Sequence, residues 1–465
     1  MVTPKNHDGS SEAINLDSPE KAVIDAMPTK ELFIDMLTRD IALIPAIIDL
    51  VDNCADGAKK LKGEGQLTGL WVRLTVSPTE FRIVDNCGGF TVEMARNYAF
   101  RFGRPPGAPS LKHSVGQFGV GMKRAIFKIG RNFRVESTTA TNRFVVDVDV
   151  NKWASTLDWT FEFAEIDETS QHKIDKHGTD ISVILLHPDV AEVFGLSAFE
   201  THLGNELKSK LQDPIARGLA VTLNGIPVNA EPMTMLANKE LAPAYKELTY
   251  TAKGEKKVTV KLYCGLGRSE VRDDERAEAG WHVFCNGRLI LEGDKSTVTG
   301  WGTKDIDLTI PGFHGQYNYL RGFAYFDSDD SARLPWNTTK TGLNTDSPIY
   351  RAVKLEMMTL MRPVIDFLNR LKEEKTGRQD SDDKGPLQSA LEEASSTAVT
   401  DVTTRPLFSA PTSKAKLISG PKMQRIQYDA SLDQVEAVKK AINASSWKEV
   451  GEKTFQYFFK AEVEE

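Results

Sequence analysis

The chain has 465 residues, with 58 Lys and Arg against 65 Asp and Glu, and so a formal net charge of −7. A composition of 40% apolar and 26% charged residues is typical of soluble globular proteins and excludes an intrinsically disordered chain. The four cysteines have no CxxC spacing, which disfavours both a disulfide framework and a zinc site. No apolar run is long enough to cross a membrane, and the polar N-terminus lacks a secretory signal, so a cytoplasmic location is expected.

The first part of the chain predicts a polar, flexible arm over residues 1–28 and then an α+β domain over residues 29–190. The elements predicted there are, in chain order, a helix over 39–60, strands over 70–76 and 80–84, a helix that Thr91 can cap, and strands over 133–137, 143–150, 160–164 and 179–186. Short turns between consecutive strands predict a mainly antiparallel sheet with helices on one face.

A second α+β domain is predicted over residues 191–345, and its strand-rich part follows a helical stretch near 197–211. Asn224-Gly225 and Asn286-Gly287 lie between alternating apolar runs, and Asn-Gly is a strong β-hairpin signal. Ser347-Pro348 can begin a long helix over 346–374, with a kink at Pro363. Residues 375–414 are rich in polar residues and proline and predict a linker, followed by a small helical tail over 415–465.

The first motif with chemical potential is Asp49-Leu-Val-Asp52-Asn53-Cys-Ala-Asp56. On a helix its four polar side chains fall within an arc of about 100°, opposite an apolar face. A solvated face is the ordinary interpretation of such a pattern. Three carboxylates at this spacing repel one another, however, so a compensating cation is expected, and magnesium would suit oxygen ligands.

Two further motifs are rich in glycine. In Asp85-Asn-Cys87-Gly88-Gly89, an apolar strand ends in a carboxylate that can accept a hydrogen bond from an exocyclic amine such as that of adenine, although a plain glycine turn explains it as well. His113-Ser-Val-Gly-Gln-Phe-Gly-Val-Gly-Met122-Lys123 opens an apolar helix and can cradle phosphate. It is not a Walker loop, because Met122 stands where that loop has lysine, and its GxxGxG spacing differs from the dinucleotide-binding GxGxxG.

Together, the order and spacing of these motifs resemble the GHKL ATPase superfamily of gyrase B, heat-shock chaperones, histidine kinases and MutL. His177-Gly178-Thr179-Asp180 resembles the fourth motif of that superfamily. Gly-Gln-Phe-Gly-Val-Gly-Met-Lys looks most like MORC-type ATPases and standalone bacterial relatives. The resemblance implies a Bergerat-type two-layer α/β sandwich, followed by a transducer-like (ribosomal S5-like) α+β domain and the helical tail.

The resemblance implies ATP and Mg²⁺ as cofactors, with Asn53 as the magnesium ligand and Asp85 as the acceptor for the adenine amine. It also implies that residues 101–113 form the lid that closes over ATP, an assignment that rests only on their position in the sequence. Cys87 departs from the family pattern, which has glycine there, and could crowd the base. The nucleotide-binding residues implied are Asn53, Asp56, Asp85, Gly89, Gly116, Gly119, Val120, Gly121, Met122, Lys123 and Thr179.

The implied catalytic residues are Asp49 and Lys340. Asp49 stands where the family usually has Glu, and a side chain one methylene shorter predicts slow hydrolysis. Lys340, in the loop Pro335-Trp-Asn-Thr-Thr-Lys-Thr-Gly342, is the candidate for the transducer lysine that reaches the γ-phosphate; an exposed loop lysine is an equally weighted interpretation.

The function favoured by the resemblance is an ATPase that forms a homodimer when ATP is bound and acts as a clamp or switch. The alternative is a non-catalytic nucleotide sensor or a DNA-associated module of MORC-like type. A local basic cluster is compatible with DNA, but phosphate binding and a solvated helix face explain it at least as well. Its members are Lys112, Lys123, Arg124, Lys128 and Arg131. The tail is a candidate site for an unidentified protein partner, and no membrane partner is expected.

Overall fold

The computed structural model describes residues 28–63, 65–103, 115, 120–169, 171–173, 176–251, 255–268, 279–304, 308–337, 339–377, 384–411, 426 and 429–463. The chain divides into two units, residues 1–411 and 412–465. The first unit contains two β-sheets with associated helices, which confirms the predicted α+β class. The predicted arm, except Pro28, and most of the predicted lid lie outside the described residues.

The first sheet is mainly antiparallel, as the short turns predicted. Its strands are β1 (Trp71–Val76), β2 (Glu80–Asp85), β3 (Gly130–Thr138), β4 (Arg143–Asp149), β5 (Phe163–Asp167), β6 (Gly178–Leu186), β7 (Ala220–Leu223) and β8 (Ile226–Val228). They pair in the order β5-β4-β3-β6-β2-β1-β7-β8, and β1 and β7 are the one parallel pair among these described strands. The strand predicted over 160–164 lies three residues later, at β5.

Eight helices described here pack with this sheet. They are α1 (Lys30–Arg39), α2 (Leu43–Lys62), α3 (Val92–Met94), α4 (Gly121–Ile129), α5 (Val150–Ala154), α6 (Pro188–Phe194), α7 (Ser197–Lys210) and α8 (Gln212–Ala216). Helix α2 buries Ile47, Ile48 and Val51 because they recur on one helical face. Thr91 caps α3 by accepting from the Met94 N–H at 3.2 Å, as predicted, and a π-helical turn, Ala95–Ala99, follows.

The Asn224-Gly225 hairpin belongs to the first sheet and not, as its position after residue 190 suggested, to the second. Strand β7 pairs with β1, so Val221 and Leu223 enter the first core. Leu203 and Leu207 of α7 lie in the same core. The φ angles of Asn224 (49°) and Gly225 (81°) are both positive, as a two-residue Asn-Gly turn requires, so the hairpin itself is confirmed.

Within the described residues, the second sheet has seven strands, and a long helix packs on it. The strands are β9 (Thr234–Ala237), β10 (Ala244–Tyr250), β11 (Val258–Leu266), β12 (Gly280–Cys285), β13 (Arg288–Asp294), β14 (Leu320–Ser328) and β15 (Ser395–Ala398). They pair in the order β13-β12-β14-β11-β9-β15, with β10 also on β11. Helix α9 (Pro348–Gly377) runs unbroken through Pro363 and buries Met357, Met361 and Leu368 in the second core.

Much of the segment 375–414, which we expected to be a linker, is folded. Helix α10 (Pro386–Glu392) follows α9, and β15 pairs antiparallel with β9. Leu387 and Leu391 are buried in the second core, and the Glu374 carboxylate accepts from the Leu387 N–H at 3.1 Å. The few apolar residues of this segment are enough to anchor it, although polar residues dominate its composition.

The second unit is described over residue 426 and residues 429–463. It contains helix α11 (Leu432–Ala441) and helix α12 (Trp447–Glu462). Ser446 begins α12 by accepting from the Glu449 N–H at 3.2 Å. In the part of the chain that the structure describes, no helix is long and apolar enough to cross a membrane.

Candidate functional site

Helix α2 carries three carboxylates into the interior of the protein. Asp49, Asp52 and Asp56 are only 2%, 2% and 6% exposed, whereas Asn53 on the same helix is exposed. The solvated-face interpretation of this motif is therefore wrong for the carboxylates. Since a buried carboxylate without a partner is costly, each requires a specific donor.

Two of these carboxylates belong to a network of alternating charges, the charge network. Its members are Arg124, Asp49, Lys340, Asp52 and Arg288. Asp49 accepts from Arg124 Nη2 at 2.7 Å through Oδ2 and from Lys340 Nζ at 3.0 Å through Oδ1. The same Lys340 Nζ lies 3.5 Å from Asp52 Oδ2, which also accepts from Arg288 Nη1. The compensating cations that the motif predicts are thus basic side chains of the protein itself, one from α4 and two from the second sheet region.

Burial and ion pairing act in opposite directions on these groups. Burial by itself would raise the pKa of Asp49, but Lys340, Arg288 and Arg124 hold that pKa below its usual value. Burial lowers the pKa of Lys340, and it lowers the pKa of Arg288 to about 10. At neutral pH Asp49 therefore carries its negative charge and Arg288 its positive charge.

Lys340 reaches helix α2 from a tight loop between β14 and α9. A bridge between Trp336 and Leu343 closes the loop, and Asn337 O accepts from the Lys340 N–H at 3.0 Å. Lys340 itself has a left-handed φ of 54° and is 5% exposed. The interpretation of Lys340 as an exposed loop lysine is therefore wrong, because its ammonium lies between Asp49 and Asp52.

A second buried carboxylate site lies at the end of β2. Asp85 is 8% exposed and accepts from the Cys87 N–H at 2.7 Å, and the Thr179 backbone N–H also donates to it. Burial raises the pKa of Asp85 to about 6. At neutral pH this carboxylate is mostly ionised and can accept a hydrogen bond from an amine.

Glycine is required beside Asp85. Gly89 has a φ of 62°, and a Cβ there would lie 2.5 Å from Thr138 O and 2.8 Å from Gly178 O. Cys87, which could have crowded the base, is 3% exposed, and its Sγ lies 3.9 Å from Trp71 O. The positive φ of Gly89 confirms the unusual backbone angle that the motif allows, and the two carbonyl oxygens show that β3 and β6 approach closely at this point.

The third motif is described only in part. Gly116 and Gly119 lie outside the described residues, whereas Val120, Gly121 and Met122 form the start of α4. A Cβ at Gly121 would lie 3.4 Å from Asp49 Oδ2, so the N-terminus of α4 lies beside the charge network. An N-terminus of this kind offers backbone N–H groups to an anion.

Lys123 and Asp56, both expected to bind nucleotide, have protein partners. Lys123 is 3% exposed, its Nζ donates to Ala99 O at 2.6 Å, and burial lowers its pKa to about 7. Asp56 accepts from the Val115 N–H at 3.0 and 2.9 Å. Val115 in turn is buried among residues of the second core. Asp56 and Val115 therefore link helix α2 to the second sheet.

Sequence reasoning missed the roles of Arg124 and Arg288. Arg124 was grouped with the basic cluster, and Arg288 follows the Asn286-Gly287 turn, whose hairpin is confirmed by φ angles of 49° and 81°. Of the described cluster members, Lys128 donates to Thr38 O at 3.1 Å, and Lys123 and Arg124 are held as described above. Only Arg131 of the described members is exposed, and Lys112 lies outside the described residues.

The residues present fit a nucleotide. Asp85 supplies an ionised acceptor for an amine, and the start of α4 supplies donors for phosphate. Over the described residues no group of three or more His, Cys, Asp and Glu side chains is placed to hold a metal. The exposed amide of Asn53 offers an oxygen that would suit a magnesium ion held together with phosphate oxygens.

Comparison with known families supports this interpretation. No curated protein sequence matches the chain. Residues 41–179 match the family model described as histidine kinase-, DNA gyrase B- and HSP90-like ATPase. The match extends from the residue pair before α2 to Thr179, and so it includes Asp49, Asn53 and Asp85. The match supports a GHKL-type ATPase domain in this part of the chain, and with it ATP binding.

Proposed function

We propose that the protein binds Mg-ATP in the first sheet domain and hydrolyses it slowly, so that the nucleotide state sets an ATP-dependent dimer that acts as a clamp or switch. The observation that carries this proposal is the contact of Lys340 Nζ with Asp49 Oδ1 at 3.0 Å. It joins a loop of the second sheet region to the helix of the ATPase domain, as a transducer-like domain needs.

Each residue of the proposed site has its own role. Asp85 and Thr179 bind the adenine, and Gly89 leaves room for it. Asn53 holds magnesium, which when bound polarises the phosphoryl oxygens. Arg124 and Lys340 balance the charge that develops on the transferred group. Asp49 orients the attacking water.

Slow turnover follows from the environment of Asp49. Both of its carboxylate oxygens accept from cations, and those cations hold its pKa below the usual value. A carboxylate whose proton affinity is reduced in this way is a weak general base. Its side chain is also one methylene shorter than that of glutamate.

A second candidate function is a nucleotide sensor without catalysis. The same ion pairs favour it, because Arg124 and Lys340 already balance the negative charge of Asp49 in this conformation. In that case ATP binding alone would set the oligomeric state, in the manner of a MORC-like switch. DNA is a weaker candidate partner, since Lys123, Arg124 and Lys128 contact the protein itself.

Asn53→Ala tests the nucleotide site. Asn53 is exposed and its side chain has no hydrogen-bond partner among the described residues, so the substitution should not disturb folding. We expect equilibrium binding of Mg-ATP to be lost while the melting temperature stays that of the wild type. Mg-ATP binding that is retained in Asn53→Ala would rule out this assignment.

Solution mass distinguishes the two functions. We expect a dimer with a non-hydrolysable ATP analogue and a monomer without nucleotide, together with slow phosphate release from ATP. A dimer without any phosphate release would identify a sensor. A mass that no nucleotide changes would contradict the clamp.

A further inference from the structure

Arg288 is a buried cation from the second sheet whose hydrogen-bonding capacity is incompletely used. It begins β13, directly after the Asn286-Gly287 turn, and is 3% exposed. Its Nη1 donates to Asp52 Oδ2. Among the described residues, its Nε is buried and has no hydrogen-bond partner. A buried donor without an acceptor is unfavourable, so this guanidinium suits a ligand that has several acceptor oxygens.

The position of Arg288 relates it to the proposed phosphate site. Asp52 accepts from Arg288 and also lies 3.5 Å from Lys340 Nζ. Lys340 is the residue that the proposed function places at the terminal phosphate. Arg124, on the other side of Asp49, likewise has a buried Nε without a partner among the described residues. The unused donors therefore flank the same pair of carboxylates.

We propose that Arg288 is a second cation of the second sheet that binds the terminal phosphate of a nucleoside triphosphate, and that Asp52 competes with that phosphate for it. This inference rests on the proposed function, because it assigns a further residue to the same site. Arginine suits the task, since its planar donors can contact two phosphate oxygens at once.

The competition predicts opposite effects for the two members of the ion pair. Without Arg288 the protein loses a contact that a triphosphate makes and a diphosphate does not. Without the charge of Asp52, Arg288 is released from its intramolecular partner and is more available to the ligand. A purely structural ion pair would instead make both variants less stable and change triphosphate and diphosphate binding alike.

The test is the ratio of the affinities for Mg-ATP and Mg-ADP, measured by equilibrium binding on the full chain. We expect Arg288→Gln to lower this preference about tenfold and Arg288→Lys to lower it less. Asp52→Asn should raise it. Lys59→Met is the matched control. Lys59 Nζ donates to Asn286 O at 2.9 Å, so it joins α2 to the same hairpin but is not a member of the charge network. It should leave the ratio unchanged.

Melting curves of the nucleotide-free variants accompany the binding data. An unchanged ratio in a folded Arg288→Gln protein would overturn the inference, as would an Asp52→Asn protein whose preference falls. If Arg288→Gln does not fold, the direction of change in Asp52→Asn decides. A wild-type protein that binds neither nucleotide would refute the proposed function itself, whereas binding with an unchanged ratio would refute only the role of Arg288.

Discussion

Lys340 Nζ lies 3.0 Å from Asp49 Oδ1, although 291 residues separate the two in the chain. Both side chains are buried, Lys340 at 5% and Asp49 at 2% exposure. The lysine comes from a loop beside the second sheet and the aspartate from the helix that covers the first. Any chemistry at Asp49 would thereby be coupled to the position of the second sheet.

Asp49→Asn should lower ATP turnover and leave nucleotide binding intact. The amide has the shape of the carboxylate but cannot accept a proton from water, so we expect a loss on the order of a hundredfold or more. Single-turnover phosphate release measures the effect, and equilibrium binding checks the affinity. Asp35→Asn is the control, because Asp35 forms an exposed ion pair with Arg39 on α1. Unchanged turnover in Asp49→Asn would remove Asp49 from the mechanism.

Lys340→Met should reduce both stability and turnover. The substitution leaves two buried carboxylates short of a cation, although Arg124 and Arg288 remain, so we expect a loss of about 3 kcal/mol in the free energy of unfolding. Urea denaturation measures it. In Lys246→Met the lost ion pair with Glu356 is partly exposed, and the loss should stay below about 1 kcal/mol. Equal losses in the two variants would mean that the buried lysine contributes no more than a surface one.

The sequence was most informative where local geometry determines the structure. Asn286-Gly287 predicted a two-residue hairpin, since few other residue pairs accept two positive φ angles, and Thr91 predicted a helix cap. The helical spacing of Asp49 and Asp52 predicted that a cation would compensate them. These inferences need only a few neighbouring residues.

The identity of that cation could not be obtained in the same way. Both cations approach α2 through tertiary packing. The family resemblance singled out Lys340, but nothing near Arg288 in the sequence distinguishes it from a surface residue. Likewise, β7 joins the first sheet by pairing with β1 across about 150 residues of chain, which local patterns do not report. Leu387 and Leu391 show the same limit, because two apolar residues anchor a segment whose composition is that of a linker.

Gly89→Ala should destabilise the protein more than an ordinary glycine substitution at positive φ. An alanine Cβ would meet Thr138 O at 2.5 Å, which β3 cannot relieve without breaking its pairing with β6. Gly225→Ala is the matched control, because Gly225 also has a positive φ but has nothing within 4 Å of its Cβ position. We expect about 1 kcal/mol for the control and several times that for Gly89→Ala. Similar melting temperatures for the two variants would contradict the close approach beside Asp85.

Asp85 should make both stability and base selectivity depend on pH. Burial raises its pKa to about 6, above the value near 4 expected in the unfolded chain, so the folded protein binds the extra proton between these values. Protonation of Asp85 therefore stabilises the folded protein by about 3 kcal/mol. This stabilisation is fully present below about pH 4 and is lost as the pH rises through 6. Urea denaturation from about pH 4 to about pH 7 would measure this contribution, and Asp85→Asn should abolish it.

The preference for ATP over GTP should depend on the same protonation of Asp85. It should increase with pH, whereas the stabilisation decreases with pH. Ionised Asp85 can only accept, which favours the amine of adenine, whereas protonated Asp85 can donate to the carbonyl of guanine. We therefore expect the affinity ratio of ATP to GTP to fall roughly tenfold between about pH 7 and about pH 5. The ratio cancels protonation of the phosphates, which is common to both nucleotides. A ratio that stays constant across this range would show that Asp85 does not contact the base, even if ATP binds elsewhere in the domain.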